Sequence, residues 1–295
     1  MFVKVVFNLP FDKILTYKKP EEIKDSLVGC RIIAPVKNRN IKGIVIEETE
    51  EAEGNFKVYP IKARIDAEPI CSNREFELAK WMSKCYHSSF GESLFASLPA
   101  GNPAKIEKKA KPIPAKQKPY LQLNEEQENV LKKISESIES KKTKTFLLHG
   151  VTGSGKTEIY LQAIKKVVDM GKQAIVILPE ISLTPQTIKR FAERFEGKIA
   201  VLHSKLSPTS KYRYWQMIKK NEIKIVVGAR SAIFSPANNL GIIVIDEEHE
   251  TSYKSNETPR YHARQIAFYR KEKENATLIL GSATPSVESF YQTED

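Results

Sequence analysis

The chain has 295 residues, a formal net charge of +11 and 41% hydrophobic residues. That apolar share is too high for a disordered chain, and the length suits about two domains. No apolar run approaches the ~20 residues of a membrane span, and Met1-Phe2-Val3-Lys4 is no signal peptide, so no membrane partner is expected. Three separated cysteines, Cys30, Cys71 and Cys85, exclude a disulfide scaffold or a cysteine-rich zinc site; they read as small buried hydrophobes in a cytoplasmic protein. The cationic excess suits a polyanion such as nucleic acid.

In chain order, Phe2–Leu9, Cys30–Val36, Lys42–Glu47 and Val58–Ile65 read as short strands. A helix follows, with Ser72 and Glu75 as capping box and Phe76, Ala79, Met82 and Tyr86 at helical spacing. Residues 1–100 thus predict a small β-barrel or sandwich with an appended helix. Residues 101–119 hold four prolines and six lysines and read as a solvated linker, or as a basic strip on DNA phosphates.

From 120 to 295 the pattern becomes β/α alternation. Strands are expected at Thr145–His149, Ala174–Leu178, Ile199–His203, Lys224–Gly228, Gly241–Asp246 and Thr277–Gly281. Helices begin at Lys156, at Pro185 behind Thr184, and at Pro208 behind Ser207. Continuous apolar strands with intervening helices predict an α/β fold with a parallel sheet covered on both faces. Ligands of such sheets bind beyond the carboxyl ends of the strands, where each of these strands runs into a polar or small-residue string.

The strongest string is Gly150-Val151-Thr152-Gly153-Ser154-Gly155-Lys156-Thr157, a full P-loop between a strand and a helix. Its backbone N–H groups would cradle the phosphates of ATP, Lys156 would reach the β and γ phosphates, and the Thr157 hydroxyl would ligate Mg²⁺. The apolar strand Ile242–Ile245 ends in Asp246-Glu247-Glu248-His249. Asp246 would hold the Mg²⁺ shell and Glu247 would act as general base on water, which favours hydrolysis over a kinase. Gln127 pairs with adenine or completes a capping box with Asn124; spacing leaves both open. Arg230 and Ser231, and Ser282 and Thr284, bring a guanidinium and hydroxyls to the same edge, for phosphate contact or for relaying nucleotide state. The loop after His249 interleaves Tyr253, Lys254, Arg260 and Tyr261, a composition suited to stacking on unpaired bases, or to packing the loop onto its domain.

These strings resemble a superfamily 2 helicase lobe, and more narrowly the PriA-type replication-restart helicases. The likeness rests on residues 150–161, 179–186, 202–204, 227–234, 245–254 with 260–264, and 281–286, and in the first half on Leu9-Pro10, Gly29-Cys30-Arg31 with Pro35, Gly43, Glu68-Pro69 and Tyr86-His87. It covers essentially the whole chain. The resemblance implies a RecA-like lobe preceded by a small β-rich DNA-binding domain, in an ATP-driven 3′ to 5′ motor; the alternative is a non-catalytic DNA-binding fragment or platform. Such a motor acts on stalled forks and D-loops and reloads the primosome beside single-stranded-DNA-binding protein. It also implies that Glu248, His249, Ser282 and Thr284 couple nucleotide to DNA, and that Tyr17 and Arg31 belong to the domain that holds a 3′ end. A monomer is expected. In place of the family's Phe-Asp-Tyr stands Leu15-Thr16-Tyr17, the pocket lysine falls near Tyr59, and no winged helix precedes the lobe. The chain ends just after residues 281–286, so the second lobe, its arginine finger and the zinc cysteines of the longer family protein are not in it, and weak ATP turnover by these residues alone is expected.

Overall fold

Residues 1–52, 57–101, 117–140 and 144–293 are described by a computed structural model. They group into two compact units: the described part of Met1–Ile106 with Asn256–Tyr261, and that of Glu107–Ser255 with His262–Asp295. Most of the expected linker, 102–116, lies outside the described residues.

The first unit is built on β1 (Phe2–Phe7), β2 (Leu15–Lys18), β3 (Arg31–Val36), β4 (Arg39–Thr49) and β5 (Ala63–Arg64), in the antiparallel order β2-β1-β4-β3-β5. Alternation along the strands sends Val3, Val5, Phe7, Tyr17, Ile32, Ala34 and Val45 into one core. Residues 59–61 then reach back to the far edge: the Lys18 N–H donates to Tyr59 O (2.9 Å) and the Ile61 N–H to Lys18 O (3.2 Å). The sheet thereby curls toward a barrel. This reach is also why Val58–Ile65 is not the continuous strand its β-branched residues suggest. Two short elements escaped the sequence reading: β2, only four residues long, and the helix α2 (Phe90–Ala96), which follows α1 (Asn73–Tyr86). Glu75 accepts from the Ser72 N–H at 2.7 Å, as its capping box requires. Cys30 and Cys71 are buried, whereas Cys85 is exposed, against expectation, because it lies off the buried stripe of α1.

The second unit carries a six-stranded parallel sheet, β6 (Thr145–His149), β7 (Gln173–Ile177), β8 (Ile199–Leu202), β9 (Ile225–Gly228), β10 (Leu240–Ile245) and β11 (Thr277–Ser282), in the order β6-β11-β10-β7-β9-β8. The helices are α3 (Glu125–Glu139), α4 (Lys156–Asp169), α5 (Pro185–Ala192), α6 (Pro208–Lys219), α7 (Ala263–Glu274) and α8 (Val287–Tyr291). Every residue of β10 is buried, as befits a central strand covered on both faces. Thr184 and Ser207 cap α5 and α6, each followed by proline at the first helical position. Among the described residues no helix is long and apolar enough to cross a membrane. Because all six strands are parallel, their polar ends share one edge of the sheet.

Candidate functional site

At that edge β6 and β10 flank β11, so the P-loop and the acidic string lie on either side of Ser282. The Gly150 N–H donates to Ser282 O (3.1 Å) and the Glu248 N–H to Gly281 O (3.0 Å), which fixes both loops to β11. Gly153 and Gly155 sit at φ +84° and +86°, in the left-handed region where a side chain is strained; these glycines make the turns of the loop. The Lys156 ammonium donates to Gly150 O (2.5 Å) and Val151 O (3.2 Å), inside the loop it would share with a phosphate. The half-buried Thr157 follows it at the start of α4. A Gly-rich loop opening a helix, a lysine within it and a buried acid across β11 are a donor set that fits a Mg²⁺-nucleotide.

Asp246 is largely buried, and desolvation pushes its carboxyl above the usual range, partly offset by the hydrogen bond from Tyr160. The Tyr160 hydroxyl, itself buried, donates to Asp246 Oδ1 at 3.0 Å. A Cβ at Gly281 would overlap that hydroxyl, so the small residue in β11 is what lets Tyr160 reach Asp246. Sequence reasoning missed Tyr160. Its one signal was a hydroxyl among Ile159, Leu161 and Ile164, a buried position that must find a partner.

Glu247 adopts φ +46°, a left-handed conformation unusual for a residue with a side chain, and turns the chain between two differently directed acids. Its Oε2 lies 3.7 Å from His249 Nδ1. His249 Nδ1 is 2.7 Å from Ser282 Oγ, and its Nε2 is 3.5 Å from Thr284 Oγ1; Ser282 Oγ also accepts from the Thr284 N–H (3.0 Å). The geometry thus brings the residues after β10 and β11 into one contact set. Glu248 turns the other way. Only 1% exposed, it accepts from the Ser286 N–H (2.7 Å), Ser289 Oγ (2.9 Å) and the Arg264 guanidinium. Desolvation would raise its carboxyl, but these donors together hold it below the usual range. Ser289 was not singled out beforehand, and Arg264 entered only as the end of the string 260–264; neither was paired with Glu248, from which they are separated by 41 and 16 positions.

Several expected contacts need correction. Gln127 completes the capping box: its Oε1 accepts from the Asn124 N–H (3.0 Å), while its Nε2 donates to Ser154 O (2.8 Å). Both ends of the amide are thus committed to helix and P-loop, and in this arrangement neither faces an adenine. Tyr253 is 1% exposed, with its hydroxyl on Asp246 O (2.5 Å), and Tyr261 is buried too, so neither ring offers a face to a base. Arg31, also buried, forks onto Asp66 (Nη2–Oδ1 2.7 Å, Nε–Oδ2 2.9 Å) and donates to Pro99 O, which makes it an internal strut of the first unit. Arg230 donates to the carbonyls of Ser252 (3.2 Å) and Lys254, bracing the loop after β10. Ser231, Lys254 and Arg260 are exposed.

The first unit has a cavity of about 960 Å³ between residues 9–17, 35–37 and 57–59. Thr16, Tyr17 and Tyr59, three positions where the family pocket was expected, line it together with Lys57. The Lys57 ammonium lies 5.4 Å from the centre of the Tyr59 ring. Tyr17 is mostly core: it is buried, packs edge-on to Phe7, and its hydroxyl donates to Pro35 O (2.8 Å). Burial pushes that phenol up to about 12.

The DEAD/DEAH box helicase family model matches residues 122–293, and that of the PriA 3′ DNA-binding domain matches residues 4–99. Replication restart protein PriA of Treponema pallidum is 38% identical over 98% of this chain and 45% of its own length; that of Borreliella burgdorferi is 36% identical over 98% and 44%. The Bacillus subtilis protein of the same name is 53% identical over 64% of this chain and 23% of its own. The chain thus spans less than half the length of these relatives. It belongs to the DEAD/DEAH box helicases, and within them to the PriA-type replication-restart proteins.

Proposed function

We propose that residues 120–295 form the ATP-binding lobe of a 3′ to 5′ DNA helicase, and that residues 1–100 form a domain that anchors it to strand ends at stalled forks and D-loops. The observation that carries this reading is the P-loop and the Asp246–His249 string on either side of β11, in one chain with a 3′ DNA-binding domain. Thr157 and Asp246 would hold Mg²⁺, which when bound neutralises charge on the phosphates. Lys156 exchanges its two carbonyls for phosphate oxygens, and Glu247 accepts a proton from water. Tyr160 orients Asp246. His249, Ser282 and Thr284 relay the state of the site along the edge of the sheet; the exposed Ser231 and Lys254 of the second unit would contact DNA phosphates, as would the exposed Arg260 of the first. Primosome-loading proteins and single-stranded-DNA-binding protein are the partners, in the cytoplasm.

The test is fork binding by the whole chain. A fork whose leading 3′ end lies free at the branch should bind several-fold tighter than one in which that end is closed into a hairpin, at an ionic strength where nonspecific contacts are weak. Equal affinity would refute the anchoring role.

A further inference from the structure

We propose that Arg264 is a positioning residue for ATP hydrolysis: through Glu248 it holds Glu247 in the strained conformation that turns its carboxylate toward water. This rests on the reading above that Glu247 accepts a proton from the attacking water, and it specifies what keeps that base in place. Within the string Asp246–His249, Glu247 alone has a left-handed backbone, at φ +46°. Such a conformation is costly and persists only where the surroundings over-determine it. Here the constraints come from both neighbours. The Asp246 N–H donates to Ile177 O (3.0 Å), and its carbonyl accepts from the Tyr253 hydroxyl. The Glu248 N–H donates to Gly281 O (3.0 Å), and its buried carboxylate ties together the starts of α7 and α8.

Arg264 is the cation at that junction. One of its nitrogens, Nη1, donates to Glu248 Oε2, to Ser286 Oγ (2.8 Å) and to Ser289 Oγ (2.9 Å). The Arg264 N–H donates to His262 Nδ1 (3.2 Å), which fixes the root of the side chain at the start of α7. Glu247 itself is only partly buried, so water reaches its carboxylate while the backbone on either side sets its direction. Without Arg264 the buried Glu248 carboxylate loses its cation, and the turn that aims Glu247 is released. A base displaced by about 1 Å costs up to about a hundred-fold in rate. Because a single nitrogen makes these contacts, a lysine ammonium can stand in for the guanidinium.

The experiment measures single-turnover hydrolysis of labelled Mg²⁺-ATP by excess full chain, and separately equilibrium binding of a Mg²⁺-ATP analogue. The variants are Arg264→Met, Arg264→Lys, Ser289→Ala and Glu247→Gln, each assayed below its own thermal transition. Hydrolysis should slow about tenfold or more in Arg264→Met and about threefold in Ser289→Ala, with nucleotide affinity within about twofold in both. Arg264→Lys should restore the rate to within about threefold of the unsubstituted chain. The double variant Glu248→Gln/Arg264→Met should be no slower than the slower of its two single variants, because both act on one arrangement. Affinity for Mg²⁺-ADP with aluminium fluoride, relative to the ATP analogue, should fall in the same order and needs no turnover. An Arg264→Met or Ser289→Ala chain that hydrolyses ATP at the unsubstituted rate would overturn the proposal. So would a slowing matched by an equal loss of nucleotide affinity, or an Arg264→Lys chain as slow as Arg264→Met. If Arg264→Met does not fold, Ser289→Ala and Arg264→Lys decide the matter. A Glu247→Gln chain as fast as the unsubstituted one would refute the base reading itself, whereas a slow Glu247→Gln beside a fast Arg264→Met refutes the positioning role alone.

Discussion

Tyr160→Phe removes one oxygen and leaves the ring packed. The lost interaction is the 3.0 Å hydrogen bond to Asp246 Oδ1. A hydrogen bond to a charged group contributes about 1.5–3 kcal/mol, and this one favours the ionised carboxylate of a largely buried acid. Without it the Asp246 carboxyl, already raised by desolvation, rises further. Protons then compete with Mg²⁺ for Asp246 over a wider range of pH. At ~1.4 kcal/mol per tenfold change, the Mg²⁺ concentration that half-saturates nucleotide binding should increase about ten-fold to a hundred-fold near pH 6. The increase should be smaller near pH 8, where the carboxylate is more fully ionised. The assay is a Mg²⁺ titration of a fluorescent ATP analogue at both pH values, with Mg²⁺-free binding as baseline. An unchanged Mg²⁺ dependence, or an equal loss in the absence of Mg²⁺, would refute the positioning role. The same burial has a cost for the unliganded fold. A carboxyl raised on folding stabilises the protein below its ordinary range and loses that contribution as pH rises through the raised value. Asp246→Asn should therefore raise Tm at neutral pH while weakening Mg²⁺-nucleotide binding.

Other substitutions separate packing from contact. Glu248→Ala removes the acceptor of the Ser286 N–H and the carboxylate partner of the Arg264 guanidinium, which keeps only the Ser286 and Ser289 hydroxyls, and should destabilise the chain by about 3 kcal/mol in denaturant unfolding. Because Glu248 is held below its usual range, its stabilisation is present above the unfolded carboxylate range and is lost as pH falls through the lowered value, so Glu248→Gln should flatten the acid limb of the stability curve. Tyr253→Phe should reduce stability by about 1 kcal/mol, the worth of its hydroxyl bond to Asp246 O, and Tyr253→Leu, which removes the ring, should leave single-strand affinity of the folded chain within about twofold; a large loss of DNA binding by Tyr253→Leu would show that the ring leaves its buried position to meet a base.

Much of this was legible because local chemistry dictates it. The P-loop needs glycines at Gly153 and Gly155 and a helix behind them, and the strand before Asp246 must be apolar because it is central. Proline behind Thr184 and behind Ser207 located two helix starts. What failed depends on long-range partners. That Arg31 pairs with Asp66, 35 residues away, has no signal in the local sequence. Tyr253 among lysines and arginines has the composition of a stacking surface, and only the packing of its loop under β10 hides the ring. Gln127 satisfied its capping box, but its second bond, to Ser154 O, required knowing where the P-loop folds back. The curl of the first sheet follows from the backbone of residues 59–61 meeting Lys18, which no side-chain pattern records.

The central claim is that Gly150–Thr157 and Asp246 make one nucleotide site in a DNA-binding chain. Equilibrium binding of Mg²⁺-ATP analogue and of fork DNA by Lys156→Ala, measured side by side with the unsubstituted chain, tests it most directly. The account predicts that nucleotide affinity falls at least about a hundred-fold, because the lysine is the loop's point charge for the phosphates, while binding of nucleotide-free chain to the fork stays within about twofold. Nucleotide affinity that survives the substitution would contradict it.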